Sequence, residues 1–305
     1  MFKRQRIELK VEDGPLYGLS WTNEGEEQKG NIIIVTGMEE TSIRYDEFAQ
    51  FLCRNGYNVY CVDHYGQGEN VKEDLSNRGV WPTSGFRKMV NNVDALVAVL
   101  RLSCKPIYIF AHSMGSFVLQ DYIQRYPKHV SKVVLCGTGS KNPATGLGYA
   151  LAKMTTNKKN REKSAKLLNK MVFGAYNKHV ENPRTPFDWL SYNEENVDKY
   201  IADPLCGFGP NKGFFLEFLK GLKRLHKDKF LKRINKDLKI FLIAGKEDPV
   251  GNWGKAPDIM KNLYLKYGIK DVEAKTYPHA RHEILNETNE TKNQVYQDVL
   301  DFFNK

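Results

Sequence analysis

The stretch KPIYIFAHSMGSFVLQDYIQRY, residues 105–126, carries the strongest structural signal in the chain. Apolar and aromatic residues at 106–110 predict a short strand, and apolar positions at helical spacing after Gly115 predict a helix. Ser113 falls at the tight turn between them. Such a nucleophile elbow lifts the serine above the sheet and points the N–H of Met114 at the same spot, where the helix start adds positive potential. Ala111 stands where glycine is usual, and its methyl group is small enough to fit.

A serine at this kind of turn has two interpretations, a nucleophile or a residue that only caps the helix. A nucleophile needs a base and an acid, which in this type of sheet follow the serine in the order acid, then histidine. Asp248 follows one later predicted strand, with Glu247 as a competing carboxylate. His282 follows the next predicted strand, with His279 as a competing base. We prefer Asp248 and His282, because the proline after Asp248 favours a turn that directs this carboxylate inward.

Strands and helices alternate along most of the chain, which predicts an α/β fold with a mostly parallel sheet, helices on both faces and a ligand site outside the carboxyl ends of the strands. An antiparallel edge hairpin is expected around the turn at 12–15, and continuous apolar runs predict strands buried on both faces. The predicted strands, eight in all, are this hairpin within 5–22 and single strands at 31–37, 57–63, 106–110, 132–136, 238–244 and 272–277.

Residues 140–237 interrupt this alternation and have a mainly helical pattern. They follow a strand whose carboxyl end faces the site, so we expect an inserted helical cap, or lid, over a core formed by residues 1–139 and 238–305. Residues 141–237 hold 20 of the 46 lysines and arginines but 10 of the 36 aspartates and glutamates, which leaves 26 of each elsewhere. The whole excess of +10 therefore lies in the cap.

The basic cap has three interpretations. It could contact an anionic membrane surface or a phosphate-bearing substrate, with about 1 kcal/mol for each cation near such a surface. It could equally be a solvated helical surface. Nucleic acid is the weakest interpretation, because the segment has few arginines and no interleaved aromatic residues.

Composition narrows the class of protein. A chain of 305 residues with 41% hydrophobic content can bury a large core without disulfides. The odd number of cysteines, five, several of them in apolar runs, favours reduced thiols in the cytoplasm. The sequence contains no cluster of cysteines and histidines that would predict a metal site. The basic N-terminus lacks the apolar segment of a signal peptide, and no run reaches the length of a membrane span.

Blocks along the chain resemble the monoacylglycerol lipase and bacterial lysophospholipase family of α/β-hydrolases. They are TGMEETSIRYDEF, VDHYGQGEN, FAHSMGS, DWLSYNEENVDKYIADPLCGF, AGKEDPVGN and YPHARHEILNE. The resemblance implies Ser113 as nucleophile, Asp248 as acid and His282 as base. It also implies an oxyanion hole formed by the backbone N–H groups of Met38 and Met114. Thr36 departs from the family, which has histidine before this glycine.

In this family the helical cap supplies an apolar acyl pocket. The resemblance therefore implies candidate lining residues in the cap, namely Leu147, Met171, Phe173, Phe208, Phe214 and Phe215. Tyr45, Asp63 and Gly66 are expected to brace the site without a chemical role.

The expected activity is hydrolysis, without a cofactor, of a single-chain acyl ester, either a lysophospholipid or a monoacylglycerol, with the basic cap favouring the former. A short-chain carboxylesterase and a peptidase like proline iminopeptidase are the enzymatic alternatives. Ala111 and Thr36 keep open a third possibility, a catalytically silent binding protein of the same fold. The oligomeric state is left open by the sequence.

Overall fold

The computed structural model describes residues 2–23 and 27–305. Within them, eight strands form one sheet in the order β1-β2-β4-β3-β5-β6-β7-β8. Strand β2 runs antiparallel to both of its neighbours, and the remaining pairs are parallel. The predicted eight-stranded α/β sheet is confirmed. The strands are β1 Phe2–Val11, β2 Gly14–Asn23, β3 Gly30–Val35, β4 Tyr57–Val62, β5 Ile107–His112, β6 Lys132–Cys136, β7 Lys239–Gly245 and β8 Asp271–Tyr277.

Helices cover both faces of the sheet. One apolar core packs α2, α3 and α9 against one face, and a second core packs α1 and α10 against the other. The alternation of side chains along each strand supplies both cores at once. The helices are α1 Asp46–Arg54, α2 Gly85–Leu100, α3 Met114–Arg125, α4 Thr145–Thr155, α5 Lys166–Phe173, α6 Glu194–Ala202, α7 Lys212–Leu225, α8 Asp228–Leu231, α9 Ala256–Lys266 and α10 Asn289–Asn304. No described helix is both long and apolar enough to span a membrane.

Between β6 and β7 lies the interruption that the sequence indicates, and it contains α4 to α8. Its last long helix, α7, packs on the core rather than above it. The ring of Phe86 in α2 lies directly under Gly221 of α7, where a Cβ would come within 2.3 Å of it. Arg224 of α7 forms an ion pair with the buried Asp121 of α3. Helix α7 therefore extends the helical layer of the core, because its apolar face packs against α2 and α3.

Candidate active site

The turn at Ser113 is sharper than the sequence indicates. Strand β5 continues through Ala111 and His112, and α3 begins at Met114, so Ser113 alone makes the turn with φ 50° and ψ −121°. Its N–H donates to the carbonyl of Cys136 in the neighbouring strand, at 2.9 Å. Gly115 is required by close approach, since a Cβ there would lie 2.3 Å from the carbonyl oxygen of Val35. The strained backbone conformation is held by these contacts and presents the serine hydroxyl above the sheet.

Three side chains from three loops meet at this corner. His282 Nε2 lies 2.8 Å from Ser113 Oγ, and His282 Nδ1 lies 2.9 Å from Asp248 Oδ1. A carboxylate only accepts hydrogen bonds, so Nδ1 carries the hydrogen and Nε2 is free to accept the proton of the serine. Asp248 and His282 are almost fully buried. The arrangement can extract a proton from the hydroxyl and hold the resulting imidazolium against a carboxylate.

The two competing residues lie elsewhere. Glu247 points outward and accepts a hydrogen bond from the hydroxyl of Tyr192, at 2.5 Å. His279 is exposed at a position with φ 49°. The turn at Asp248 is fixed by its own side chain, which accepts from the N–H of Val250 at 2.8 Å.

The loop after β3 passes over Ser113 and contains the proposed donor Met38. A Cβ at Gly37 would lie 3.0 Å from the Cβ of Ser113, so this glycine allows the close approach. Gln67 fixes the loop from the side, donating to the carbonyl of Gly37 at 3.0 Å and accepting from the N–H of Glu39 at 3.1 Å. Among the described residues, the buried hydroxyl of Thr36 has no hydrogen-bond partner. The side chain of Thr36 therefore does not fasten this loop.

Glu40 joins this loop to the histidine that precedes the serine. Its Oε1 accepts hydrogen bonds from the N–H of Gly37, from the Tyr45 hydroxyl at 2.6 Å and from His112 Nδ1 at 3.1 Å. Burial alone would raise the pKa of Glu40, but the charge and hydrogen bonds of its partners lower it to about 2. Burial opposes the charge of His112, yet Glu40 raises the pKa of His112. The bond between the two side chains is buried, and the His112 ring lies 4.7 Å from that of His282.

Asp63 and Gly66, which are expected to brace the site, lie in the loop after β4. Asp63 accepts from the N–H of Ser42 at 2.7 Å, from the Ser42 hydroxyl at 2.8 Å and from the N–H of Glu69 at 3.1 Å. Gly66 has φ 64°, and a Cβ there would lie 2.6 Å from the carbonyl oxygen of Asn77, so a side chain would not fit.

The loop that carries His282 is fastened to the insertion. The N–H of His282 donates to the carbonyl of Trp189 at 3.4 Å, and the N–H of Glu283 donates to the carbonyl of Leu190 at 2.7 Å. The Trp189 ring lies 5.2 Å from that of His282. This part of the insertion pairs with the histidine loop much as a strand would. It therefore forms a wall of the site and is not a detached cover.

The Glu287 side chain links the insertion to the loop that carries His282. Its Oε2 accepts from the Ser191 hydroxyl at 2.8 Å and from the N–H of Tyr192 at 2.9 Å, and its Oε1 accepts from the N–H of Arg281 at 2.7 Å. The carboxylate is buried. Three donors from two loops thus converge on one charged group.

A cavity of about 1090 Å³ opens above Ser113 between the core and the insertion. Three of the six pocket residues implied by the resemblance line it, Leu147, Met171 and Phe173. Its wall also contains apolar side chains that the sequence did not single out, Phe117, Tyr176, Phe187, Phe218, Leu219, Leu222 and Val250.

The other three implied pocket residues are not among those that line the cavity. Phe214 and Phe215 are fully buried in the core, and the Phe214 ring lies 3.9 Å from that of Trp81. Phe218 and Leu222 lie on the same face of α7 as Phe214, one and two turns further along, and line the cavity. This face therefore meets the core near the start of α7 and the cavity further along it. Phe208 instead lies under the guanidinium of Arg78, 5.4 Å from the ring centroid.

Known proteins show the same architecture. Residues 26–289 match the profile of the Hydrolase_4 family, described as serine aminopeptidase, S33. The chain belongs to this family. It is 26% identical over 271 residues to a monoacylglycerol lipase of Mycolicibacterium smegmatis. That alignment covers 88% of this chain and 85% of the lipase. It is 30% identical over 135 residues to lysophospholipase L2 of Escherichia coli, covering 41% of this chain and 38% of that protein.

Among solved structures, a thermostable carboxyl esterase from Bacillus coagulans in complex with glycerol superposes with a TM-score of 0.90. That similarity covers 100% of this chain and 99% of the esterase at 25% identity. The predicted resemblance and the α/β-hydrolase fold are therefore confirmed.

Sequence reasoning missed Glu40, Gln67, His112 and Glu287 as parts of the site. Glu40 and His112 were visible as neighbours of the loop glycine and of the serine, but nothing in the sequence pairs them. Glu287 lies in the block that carries His282, and its partners at Ser191 and Tyr192 are 96 and 95 residues away in the chain. Contacts at such separation leave no local pattern.

Proposed function

We propose that this protein is a serine hydrolase that cleaves carboxylic esters of single-chain acyl lipids through an acyl-serine intermediate. The observation that carries the proposal is the relay from Asp248 through His282 to Ser113 at the base of a largely apolar cavity. Relatives named monoacylglycerol lipase and lysophospholipase support a lipid ester as substrate. A single acyl chain suits a cavity of about 1090 Å³.

The reaction follows from the geometry. Ser113 Oγ attacks the ester carbonyl carbon while His282 Nε2 takes its proton, and Asp248 stabilises the imidazolium. The new oxyanion lies against the N–H groups of Met38 and Met114. In the described residues neither N–H donates to a protein acceptor. The proton then passes from His282 to the leaving alcohol, and water repeats the sequence on the acyl-enzyme.

The exposed surface of the insertion suits contact with an anionic membrane, from which a lipid would enter. Four large apolar side chains are exposed on α4 and α5, Leu147, Met154, Leu167 and Met171. Lysines on the same helices lie among them, Lys153, Lys166 and Lys170, and no ion pair is found for these in the described residues. Apolar residues that enter an interface beside cations bind anionic lipid more strongly than either would alone.

The first experiment is labelling with a fluorophosphonate probe, which tests nucleophile, base and oxyanion hole together. Labelling should be lost in Ser113→Ala and retained in Ser116→Ala, a buried serine of the same helix. A protein that is never labelled would be the silent binding protein of the same fold, and the proposal would be abandoned. Hydrolysis of p-nitrophenyl esters of increasing chain length should then exceed hydrolysis of a proline anilide, since the family description also includes aminopeptidases.

Membrane contact is tested by sedimentation with vesicles. More of the protein should sediment with phosphatidylglycerol vesicles than with phosphatidylcholine vesicles. The double variant Leu147→Ser, Met171→Ser should bind phosphatidylglycerol vesicles more weakly than the wild-type protein does. The matched control is Leu102→Ser, an 84% exposed leucine on the core. Equal loss in both variants would contradict the assignment of this surface. We place the protein in the cytoplasm, where its free cysteines would stay reduced.

A further inference from the structure

Charged and apolar groups line different parts of the cavity above Ser113. Among the described residues, every carboxylate in its wall lies in the loop after β3 or in the loop that carries His282, namely Glu39, Glu40 and Glu283. The part of the wall formed by α7 contains none of them, and its side chains nearest to Ser113 are apolar. An acyl chain is therefore expected to lie along α7, where its hydrocarbon leaves water without displacing the hydration of a carboxylate.

One face of α7 forms this part of the wall, and its character changes along the helix. Phe218 and Leu222 are apolar and lie four residues apart, with Leu219 beside them. Lys223 follows on the same face, and Lys227 lies four residues later, just beyond the end of the helix. Residues four apart are neighbours on the surface of a helix. The wall is therefore apolar at first and cationic at its far end.

Contacts with α3 place this face relative to Ser113. The rings of Phe117 and Phe218 lie 5.9 Å apart, and Gln124 Nε2 donates to the carbonyl of Leu225 at 2.7 Å. The residues of both pairs are 101 positions apart in the chain, so α7 runs parallel to α3 and in register with it. Helix α3 begins directly after Ser113. Each residue of α7 can therefore be assigned a distance from the serine along the two helices.

The lysines lie at the distance of a long acyl chain. At about 1.5 Å per residue, Phe218 is about 6 Å and Leu222 about 12 Å from Ser113 along the helices. Lys223 follows at about 14 Å, and Lys227 at about 19 Å. An extended acyl chain advances about 1.25 Å per carbon, so its eighth carbon lies about 9 Å from the ester carbonyl carbon, between Phe218 and Leu222. Its sixteenth carbon lies at about 19 Å, beside Lys227.

The cations at this end are available to a ligand. Lys223 and Lys227 are exposed, and neither forms an ion pair within the described part of the chain. Lys223 Nζ lies 4.4 Å from the centroid of the Tyr149 ring, which orients the ammonium group and leaves its charge in place. Another cation of the wall, Lys141, lies near them, because its charge is the second cause, after burial, that lowers the pKa of His226 to about 4. Three cations thus surround the end of an apolar channel.

On the basis of the proposed ester hydrolysis, we propose that this end of the cavity is a subsite for a carboxylate at the far end of the acyl chain. The substrate class is then the monoesters of dicarboxylic acids with about 12 to 16 carbons. Such a chain buries its methylene groups on Phe218 and Leu222, while its carboxylate stays hydrated and pairs with Lys223 and Lys227. In a shorter diacid the charge lies among the apolar side chains, where it loses water and gains no partner.

The test compares ethyl octanoate, monoethyl octanedioate and monoethyl hexadecanedioate at pH 8 and low ionic strength, each below its critical micelle concentration. For each protein, kcat/KM for a half-ester is divided by that for ethyl octanoate, which removes any effect of folded fraction. In the wild-type protein, the hexadecanedioate ratio should exceed the octanedioate ratio by at least about 100-fold. In the double variant Lys223→Gln, Lys227→Gln, the hexadecanedioate ratio should fall about fivefold and the octanedioate ratio should not change.

The control is the double variant Lys229→Gln, Lys232→Gln, in which both ratios should equal those of the wild-type protein. It removes the same charge from exposed lysines just beyond α7 that do not line the cavity. Salt at about 1 M should abolish the difference between the Lys223 and Lys227 variant and the wild-type protein, because it screens exposed charges.

An unchanged hexadecanedioate ratio in the Lys223 and Lys227 variant would overturn the subsite while leaving ester hydrolysis intact. An equal fall in the control variant would overturn it as well, by showing only a general effect of positive charge. Equal ratios for the two half-esters in the wild-type protein would refute the placement of the lysines along the chain. If the wild-type protein hydrolyses none of the three esters, ethyl octanoate included, the proposed function itself fails.

Discussion

Replacement of Glu287 by glutamine tests whether the insertion positions His282, the proposed base. The carboxylate accepts three hydrogen bonds, from Ser191, Tyr192 and Arg281. An amide keeps one acceptor oxygen and turns an NH₂ group toward an N–H donor, so at least one bond is lost and one buried donor is left without a partner. Losing a bond to a buried charged group costs about 3 kcal/mol in stability.

The same change loosens the pairing between the insertion and residues 281–283. We expect kcat for a p-nitrophenyl ester to fall about tenfold with little change in KM, since the proton transfer to His282 depends on its position. The free energy of unfolding is measured in urea and kcat on the folded protein. The control is Glu247→Gln, whose bond to Tyr192 is at the surface and contributes less than about 1 kcal/mol. If Glu287→Gln unfolds like the wild-type protein and keeps its kcat, the insertion does not hold the histidine.

Three further outcomes are expected. Asp248→Asn should lower kcat about 10⁴-fold, because the amide favours the wrong tautomer of His282, and the fold should persist by circular dichroism. Gly115→Ala should yield little folded protein, since its Cβ would lie 2.3 Å from the Val35 carbonyl oxygen, whereas Gly146→Ala, with open space around it, should express normally. Burial lowers the pKa of His64 to about 4, so His64 binds a proton less tightly in the folded state than in the unfolded state. The folded state should therefore lose stability as the pH falls from about 6.5 toward 4. The measurement is the free energy of unfolding in urea, for the wild-type protein and for His64→Gln. The wild-type value, taken relative to that of the variant, should be about 2 kcal/mol lower at pH 5 than at pH 8.

Much of the core was predictable because its signals are local. Continuous apolar runs gave the buried strands, and the strand-turn-helix pattern around Ser113 located the elbow. The boundaries were less accurate, since strand β5 extends through His112 where a turn was expected. Ala111 fits that extended geometry because it is fully buried between β3 and β6, where only a small side chain can lie.

The placement of Asp248 and His282 beside Ser113 was predictable for a different reason. In a parallel sheet the carboxyl ends of the strands lie at one edge, so residues after β5, β7 and β8 must lie near each other. Order along the chain then assigns the proposed roles. The choice of Asp248 over Glu247 depended on one turn of the backbone, and Asp248 is the carboxylate that lies 2.9 Å from His282 Nδ1.

The insertion was predictable as helical and basic, but its packing was not. Whether Phe214 meets the cavity or the core depends on where along α7 each of them lies, and an apolar face on a helix does not say which of two apolar partners it meets.

The sequence by itself determined the sheet, the turn at Ser113 and the placement of Asp248 and His282 after β7 and β8, because strand periodicity and strand ends are properties of neighbouring residues. Tertiary structure alone decided the partners of Glu40 and Glu287. A carboxylate has the same letter whether it is exposed, paired with a buried histidine or bonded to three donors from two loops. Only the distances between remote segments distinguish these states, and they set its pKa and its role.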